Sequence, residues 1–193
     1  MITQIKGKLV EKNPTQVVVD CNGIGYEINI SLFTFSSLSS DENIKLFTHL
    51  QVREDAHILY GFFTVLERAV FRLLISVSGI GSSTARTMLS SLTPAEIQHA
   101  IGTEDVATIQ GVKGIGLKTA QRLIIELKDK IKSLQGTDEI PFFKSNTIKE
   151  ETLSALEVLG YSRKASEKIV DKLIQGEPDS SVEGLIKSAL NKL

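Results

Sequence analysis

The sequence has one cysteine, no long apolar run and almost no charge imbalance, and each shortage removes a class of function. Cys21 alone cannot close an intramolecular disulfide and leaves no thiol cluster for zinc. Within its apolar run it reads as a small core residue. No stretch approaches the roughly 18 apolar residues that a membrane span needs, and the opening Met1-Ile2-Thr3-Gln4-Ile5-Lys6 lacks the apolar core of a signal peptide. A soluble, cytoplasmic protein is expected. Twenty-two basic residues stand against 23 acidic ones, so the net charge of −1 advertises no polyanionic partner globally. His49, His57 and His99 are isolated and lack ligand spacing, and no Ser-His-Asp or Cys-His arrangement is present. Neither a catalytic residue, a metal site nor a cofactor is expected.

Hydrophobic residues make up 41% of the 193 positions, enough for more than one core. Residues 1–62 alternate with the period of strands: 2–10 up to a break at Asn13-Pro14, 16–20 up to Asn22-Gly23, then 25–30, 44–47 and 56–60. Five short strands with turn signals between them predict a small closed sheet, a five-stranded barrel. Residues 63–135 change period. Val65, Leu66, Ala69, Val70, Leu73 and Leu74 follow helical spacing, as do Leu89, Leu92, Ile97 and Ile101. Thr93-Pro94-Ala95-Glu96 is a helix start, with a capping hydroxyl, proline at the first helical position and glutamate three residues after the cap. Residues 136–147 carry no period and read as a linker. Residues 148–193 predict three short helices, 148–158, 163–175 and 181–192, broken at Gly160 and at Gly176-Glu177-Pro178. Charge is uneven: residues 63–135 hold nine basic and six acidic side chains, while the segments on either side are acidic on balance. An electrostatic footprint would lie in the middle segment.

That segment contains an internal repeat. Val77-Ser78-Gly79-Ile80-Gly81-Ser82-Ser83-Thr84-Ala85-Arg86 aligns without gaps on Val112-Lys113-Gly114-Ile115-Gly116-Leu117-Lys118-Thr119-Ala120-Gln121 at an offset of 35 residues. Two glycines permit positive φ and leave the backbone unobstructed, so amide N–H groups can face outward. The isoleucine between them can point inward and anchor the turn, and the following helix presents its positive end at the same place. The expected site is therefore a phosphate cradle blind to base identity, formed by Gly79, Ile80, Gly81, Ser83 and Arg86 in one copy and Gly114, Ile115, Gly116, Lys118, Thr119 and Arg122 in the other. Lys118 and Arg122 lie one helical turn apart and can follow one backbone track. Ser82-Ser83 stand where the first copy could carry a lysine, so its grip is expected to be weaker. A nucleotide P-loop is excluded, because Leu117 separates Gly116 from Lys118 and a helix, not a strand, precedes. A dinucleotide fingerprint fails because Thr119 stands at its third glycine.

With the repeat in view, the chain resembles the RuvA family. The Gly-Ile-Gly pairs resemble tandem helix-hairpin-helix motifs, and residues 52–62, Val-Arg-Glu-Asp-Ala-His-Ile-Leu-Tyr-Gly-Phe, resemble the end of that family's barrel domain. Met1-Ile2 with Lys6-Gly7, Gly23-Ile24-Gly25-Tyr26-Glu27 and Leu156-Glu157-Val158-Leu159-Gly160-Tyr161 fit the same pattern in the same order. The resemblance implies an α+β multidomain chain: an oligonucleotide-binding (OB-type) barrel over 1–62, a tandem hairpin domain over 63–135, a flexible linker over 136–147 and a small three-helix, UBA-like domain over 148–193. It implies a homotetramer that binds the four-way Holliday junction without regard to sequence, keeps it open and planar, and recruits the RuvB motor ATPase for branch migration in recombination and repair. The RuvC resolvase is implied in the larger complex. Glu54 and Asp55 become an acidic pin near the four-fold axis, where eight carboxylates would repel phosphates at the crossover. Leu156, Leu159, Tyr161 and Leu190 become candidates for docking the motor, against the plainer reading that a domain of this size needs every one of them as core. A structure-specific nuclease or ligase fragment and a purely architectural duplex binder stay open as alternatives. The first would need a carboxylate cluster for metal ions, and Glu96, Glu104, Asp105 and Glu126 read instead as solvated helical residues.

Overall fold

The computed structural model describes residues 1–39, 43–132, 134, 148–176 and 181–192. The chain divides into two compact units, Met1–Glu139 and Ile140–Leu193. The expected linker, residues 136–147, and the expected break at Glu177-Pro178 lie outside the described residues; Gly176 is the last residue of its helix.

Five strands open the first unit: β1 (Gln4–Asn13), β2 (Gln16–Cys21), β3 (Ile24–Ile30), β4 (Asn43–Val52) and β5 (His57–Phe62). They close a barrel in the order β1-β2-β3-β5-β4. Both expected turns are present. Asn13 pairs with Gln16 across Pro14-Thr15. Asn22 and Gly23 take φ of 55° and 90°, the two positive values a tight primed turn needs, and the Gly23 N–H donates to Asp20 Oδ1 at 3.0 Å. Strand period puts Ile5, Val17, Val19, Ile28, Ile30, Ile44, Leu46 and Leu59 inside. A short helix that sequence spacing did not signal, α1 (Leu32–Ser37), leaves β3 with Ser31 as its cap.

The helical half of this unit comprises α2 (Val65–Ile75), α3 (Ser82–Ser91), α4 (Pro94–Gly102), α5 (Val106–Gln110) and α6 (Leu117–Lys132). Thr93 and Glu96 form the expected capping box around Pro94. Helical spacing collects Val70, Phe71, Leu74, Met88, Leu89, Ile97, Ile101, Leu123, Leu127 and Ile131 into one apolar core. That core reaches into the end of the barrel: the Phe71 ring lies 4.8 Å from Phe62, 5.1 Å from Tyr60 and 5.5 Å from His49. Full burial of Phe71 contributes about 2–3 kcal/mol. His49 beside it is held below its ordinary pKa by burial, then by the charges of Arg72 and Arg68.

Glu67 fastens the two halves. Its carboxylate has no exposed surface. It accepts from Ser31 Oγ at 2.5 Å, from Thr34 Oγ1 at 2.6 Å and from the Phe63 N–H at 3.0 Å, while its own N–H donates to Thr64 Oγ1 at 3.0 Å. Burial raises the carboxyl above its ordinary value, and these hydrogen bonds oppose the shift without cancelling it.

The second unit holds α7 (Ile148–Val158), α8 (Arg163–Gly176) and α9 (Val182–Leu190) around Leu153, Leu156, Val170 and Ala189. Helix α7 stops at Gly160, whose φ is 95°, with the Tyr161 N–H donating back to Leu156 O at 3.0 Å.

The raised carboxyl of Glu67 gives a signed expectation. A folded-state value above the unfolded one contributes stability that is complete below the ordinary carboxylate range and is lost as pH rises through the folded value. The melting temperature of the native chain minus that of Glu67→Gln is expected to grow as pH falls from about 8 to about 5. A constant difference in paired calorimetric melts would refute it.

Candidate nucleic-acid interface

The repeat seen in the sequence is a repeat in space. Helices α2 and α5 end, and α3 and α6 begin, at the same 35-residue offset. In each copy the turn is closed by the same bonds. Ile80 N–H donates to Val77 O and Ile115 N–H to Val112 O, both at 3.1 Å, and Ala85 and Ala120 N–H donate to Gly81 O and Gly116 O, both at 2.9 Å. Ile80 and Ile115 are buried in one common core with Val77 and Val112. Side chain and amide of each isoleucine are both used inside the turn, so they anchor the loops as the sequence suggested for the side chains.

The glycines divide into two kinds. Gly79 and Gly114 have φ of 93° and 91°, a region that side chains with a Cβ rarely adopt. Gly81 has an ordinary φ of −83°, and a Cβ at Gly81 or Gly116 would meet nothing within 4 Å. Among the described residues no contact requires a glycine at either place. Both stand at the start of a helix, where first-turn amides have no partner within the helix, and α3 has no side-chain cap. The geometry admits a bulky anion close to the backbone, with the positive helix end behind it.

The charged residues differ between copies. Lys118 is exposed one residue into α6, and Thr119 beside it is half-buried. Arg122 follows one turn later, paired through Nε with Glu126 Oε1 at 2.7 Å, an exposed contact that solvent largely screens. Lys113, exposed just before Gly114, is a cation that motif reasoning passed over because the first copy has Ser78 there. In the first copy Ser83 is exposed, but Ser82 is buried and its Oγ donates to Gln51 Oε1 on β4 at 2.6 Å. Arg86 is half-buried and is engaged through one of its guanidinium nitrogens. Its Nη1 donates to Asn29 Oδ1 at 2.7 Å and to Thr15 O at 3.4 Å.

Glu54 and Asp55 occupy the exposed tip between β4 and β5, where the Arg53 N–H donates to Ala56 O at 2.8 Å. Among the described residues no group of three or more His, Cys, Asp or Glu could hold a metal ion, and no helix is long and apolar enough to cross a membrane. On the second unit Leu159 is 55% exposed and Tyr161 and Leu190 are each 37% exposed, and Val158, unremarked in the sequence, is 88% exposed. Leu156 is fully buried at the centre of its three helices. Its expected part in a docking surface is corrected to core.

A closed five-stranded barrel fused to two helix-hairpin-helix loops on one core defines a class of multidomain helix-hairpin-helix proteins. Comparison with known families narrows the class: the RuvA N-terminal domain matches residues 1–61, the SAM-like tandem helix-hairpin-helix matches 71–129, and the RuvA C-terminal domain matches 147–193. The chain belongs to the RuvA family. It is 61% identical over 193 residues to the Holliday junction branch migration complex subunit RuvA of Christiangramia forsetii and 57% identical over 193 residues to that of Flavobacterium psychrophilum, with all of both chains covered in each case. It is 50% identical over 196 residues to the Cytophaga hutchinsonii protein of that name, covering 98% of each chain.

Alanine at Gly79 or Gly114 is expected to cost the fold about 1 kcal/mol or more through the strained φ, lowering Tm by about 2–4 °C per kcal/mol. Alanine at Gly116 should leave a smaller mark on Tm, because it meets neither strain nor neighbour. Equal losses at Gly114 and Gly116 in thermal melts would contradict the distinction.

Proposed function

We propose that this chain is the DNA-binding subunit of a branch migration complex, non-catalytic itself, working in the cytoplasm on four-way junctions. The observation that carries the proposal is the pair of matching loops, each placing an unobstructed backbone and a helix N-terminus at the same point on the surface. Such a site holds phosphate irrespective of base. The three domains have separate roles. Residues 1–62 carry the acidic tip, 63–135 grip the backbone and 148–193 dock a motor. Four copies around a four-fold axis would match four DNA arms, with attraction on the arms and the Glu54–Asp55 tips repelling strands at the crossover. The second hairpin is the stronger grip, since Lys118, Arg122 and Lys113 all surround it. The RuvB ATPase is the motor in this reading, docking on the apolar surface of Val158, Leu159, Tyr161 and Leu190. RuvC completes the larger assembly.

Equilibrium binding to an immobile four-way junction and to a linear duplex, over a salt series without metal or ATP, tests the core of the reading. The junction is expected to bind more tightly, with log Kd depending on log salt at roughly 0.9 per neutralised phosphate. Lys118→Ala should flatten that dependence by about one for each phosphate it no longer neutralises. Equal affinity for junction and duplex would overturn junction recognition, and cleavage on adding magnesium would overturn the non-catalytic assignment.

The docking surface has its own test. Leu159→Ala and Tyr161→Ala are expected to abolish RuvB capture at unchanged Tm, whereas Leu156→Ala should destabilise the second unit by about 2–5 kcal/mol. Full RuvB capture by both surface variants would sink the assignment.

A further inference from the structure

We propose that the first hairpin acts as a spacer as much as a grip. Its helix α3 is tied to both strands that carry the acidic tip, and the fixed separation of phosphate loop and Glu54–Asp55 selects a junction over a duplex. The inference rests on the junction-binding reading above and assigns it positioning residues: Gln51, Ser82, Arg86 and Asn29.

The ties approach the tip from either side. Ser82 follows Gly81 directly, so its bond to Gln51 joins the phosphate loop to β4 three residues before Glu54. One turn along α3, Arg86 holds Asn29, whose Nδ2 donates to Leu59 O at 3.4 Å on β5, four residues after Asp55. A further turn along, Ser90 Oγ accepts from the Leu32 N–H at 3.1 Å. Residues 82, 86 and 90 form one stripe of the helix at four-residue spacing, and the whole stripe faces the barrel and α1.

The second copy shows that this stripe is not a requirement of the hairpin. At the equivalent positions α6 carries Leu117, Gln121 and Ile125, all exposed, with Leu117 at 49% and Ile125 at 78%. The two copies share their turn bonds to within 0.1 Å yet diverge where the first meets the barrel. The missing lysine is a separate difference, since the position equivalent to Lys118 is Ser83, which is exposed and lies off this stripe. An attractive loop and a repulsive tip held at a set distance suit a substrate whose backbones diverge around a centre. A continuous duplex brings phosphate to both at once.

The test uses the full chain with Gln51→Ala and Asn29→Ala, neither of which touches phosphate in this scheme. Dissociation constants for an immobile four-way junction and a linear duplex are measured over a salt series, with thermal melts alongside. Each variant is expected to lower the junction-over-duplex preference by about three- to tenfold. Duplex affinity and salt slope should stay at their native values. Ser82→Ala, alone and combined with Gln51→Ala, should match Gln51→Ala alone, because all three delete one bond. If Asn29→Ala fails to fold, Gln51→Ala, at a half-buried position on β4, decides the matter. Native preference retained in the variants overturns the spacer while leaving junction recognition intact. Parallel loss on both substrates with a flatter slope also overturns it, assigning the ties to phosphate grip. A native chain without preference overturns the functional reading itself.

Discussion

Glu67 draws donors from two parts of the chain that lie 29 residues apart at their nearest, Thr34 and Phe63, and the placement of the candidate interface depends on that convergence. A buried carboxylate without partners would be strongly unfavourable. Here Ser31 and Thr34 from the loop and helix after β3, and the Phe63 amide from the start of the helical half, leave it satisfied only when barrel and helices meet in one orientation. Phe71, packed on Phe62 and Tyr60, supplies the bulk of the burial at the same junction. Apolar contact alone tolerates sliding. The hydrogen-bonded carboxylate does not, so the angle at which the hairpins leave the barrel is set at Glu67 and repeated further out at Ser82 and Arg86.

The function proposed for this member of the RuvA family gives that angle a use. In the function proposed above, attraction resides in main-chain amides at the two loops, and repulsion resides in two carboxylates on a strand tip. Neither needs a base to read. On that proposal, discrimination between nucleic-acid shapes comes from relative position, a property of the barrel–helix junction more than of any contacting residue.

Much of this was legible in the sequence because it was local or repeated. Period-two runs and the Asn22-Gly23 turn signalled the barrel, Thr93-Pro94-Ala95-Glu96 signalled α4, and the 35-residue offset signalled the hairpins. What escaped was non-local. Helix α1 has six residues, too short to show a period. Glu67 sits on a helical stripe where a glutamate reads as solvated, and only the fold brings Ser31 and Thr34 to it. Arg86 has the spacing of a phosphate ligand, and nothing in the sequence placed Asn29 opposite its guanidinium. Leu156 and Leu159 are three residues apart in an apolar run. The helix stop at Gly160 puts the first at the centre of three helices and leaves the second on the surface.

Duplicated loops that share one core have an evolutionary consequence. Once Ile80 and Ile115 are packed in the same apolar cluster, each loop is supported by the other's helices, and a change at the outward stripe of one copy does not threaten the shape of either. In this chain one copy is bonded to the barrel along that stripe, while its twin carries Lys113, Lys118 and Arg122. Because what the two loops share is backbone, single side-chain replacements along either outward stripe leave the turn bonds of both copies in place.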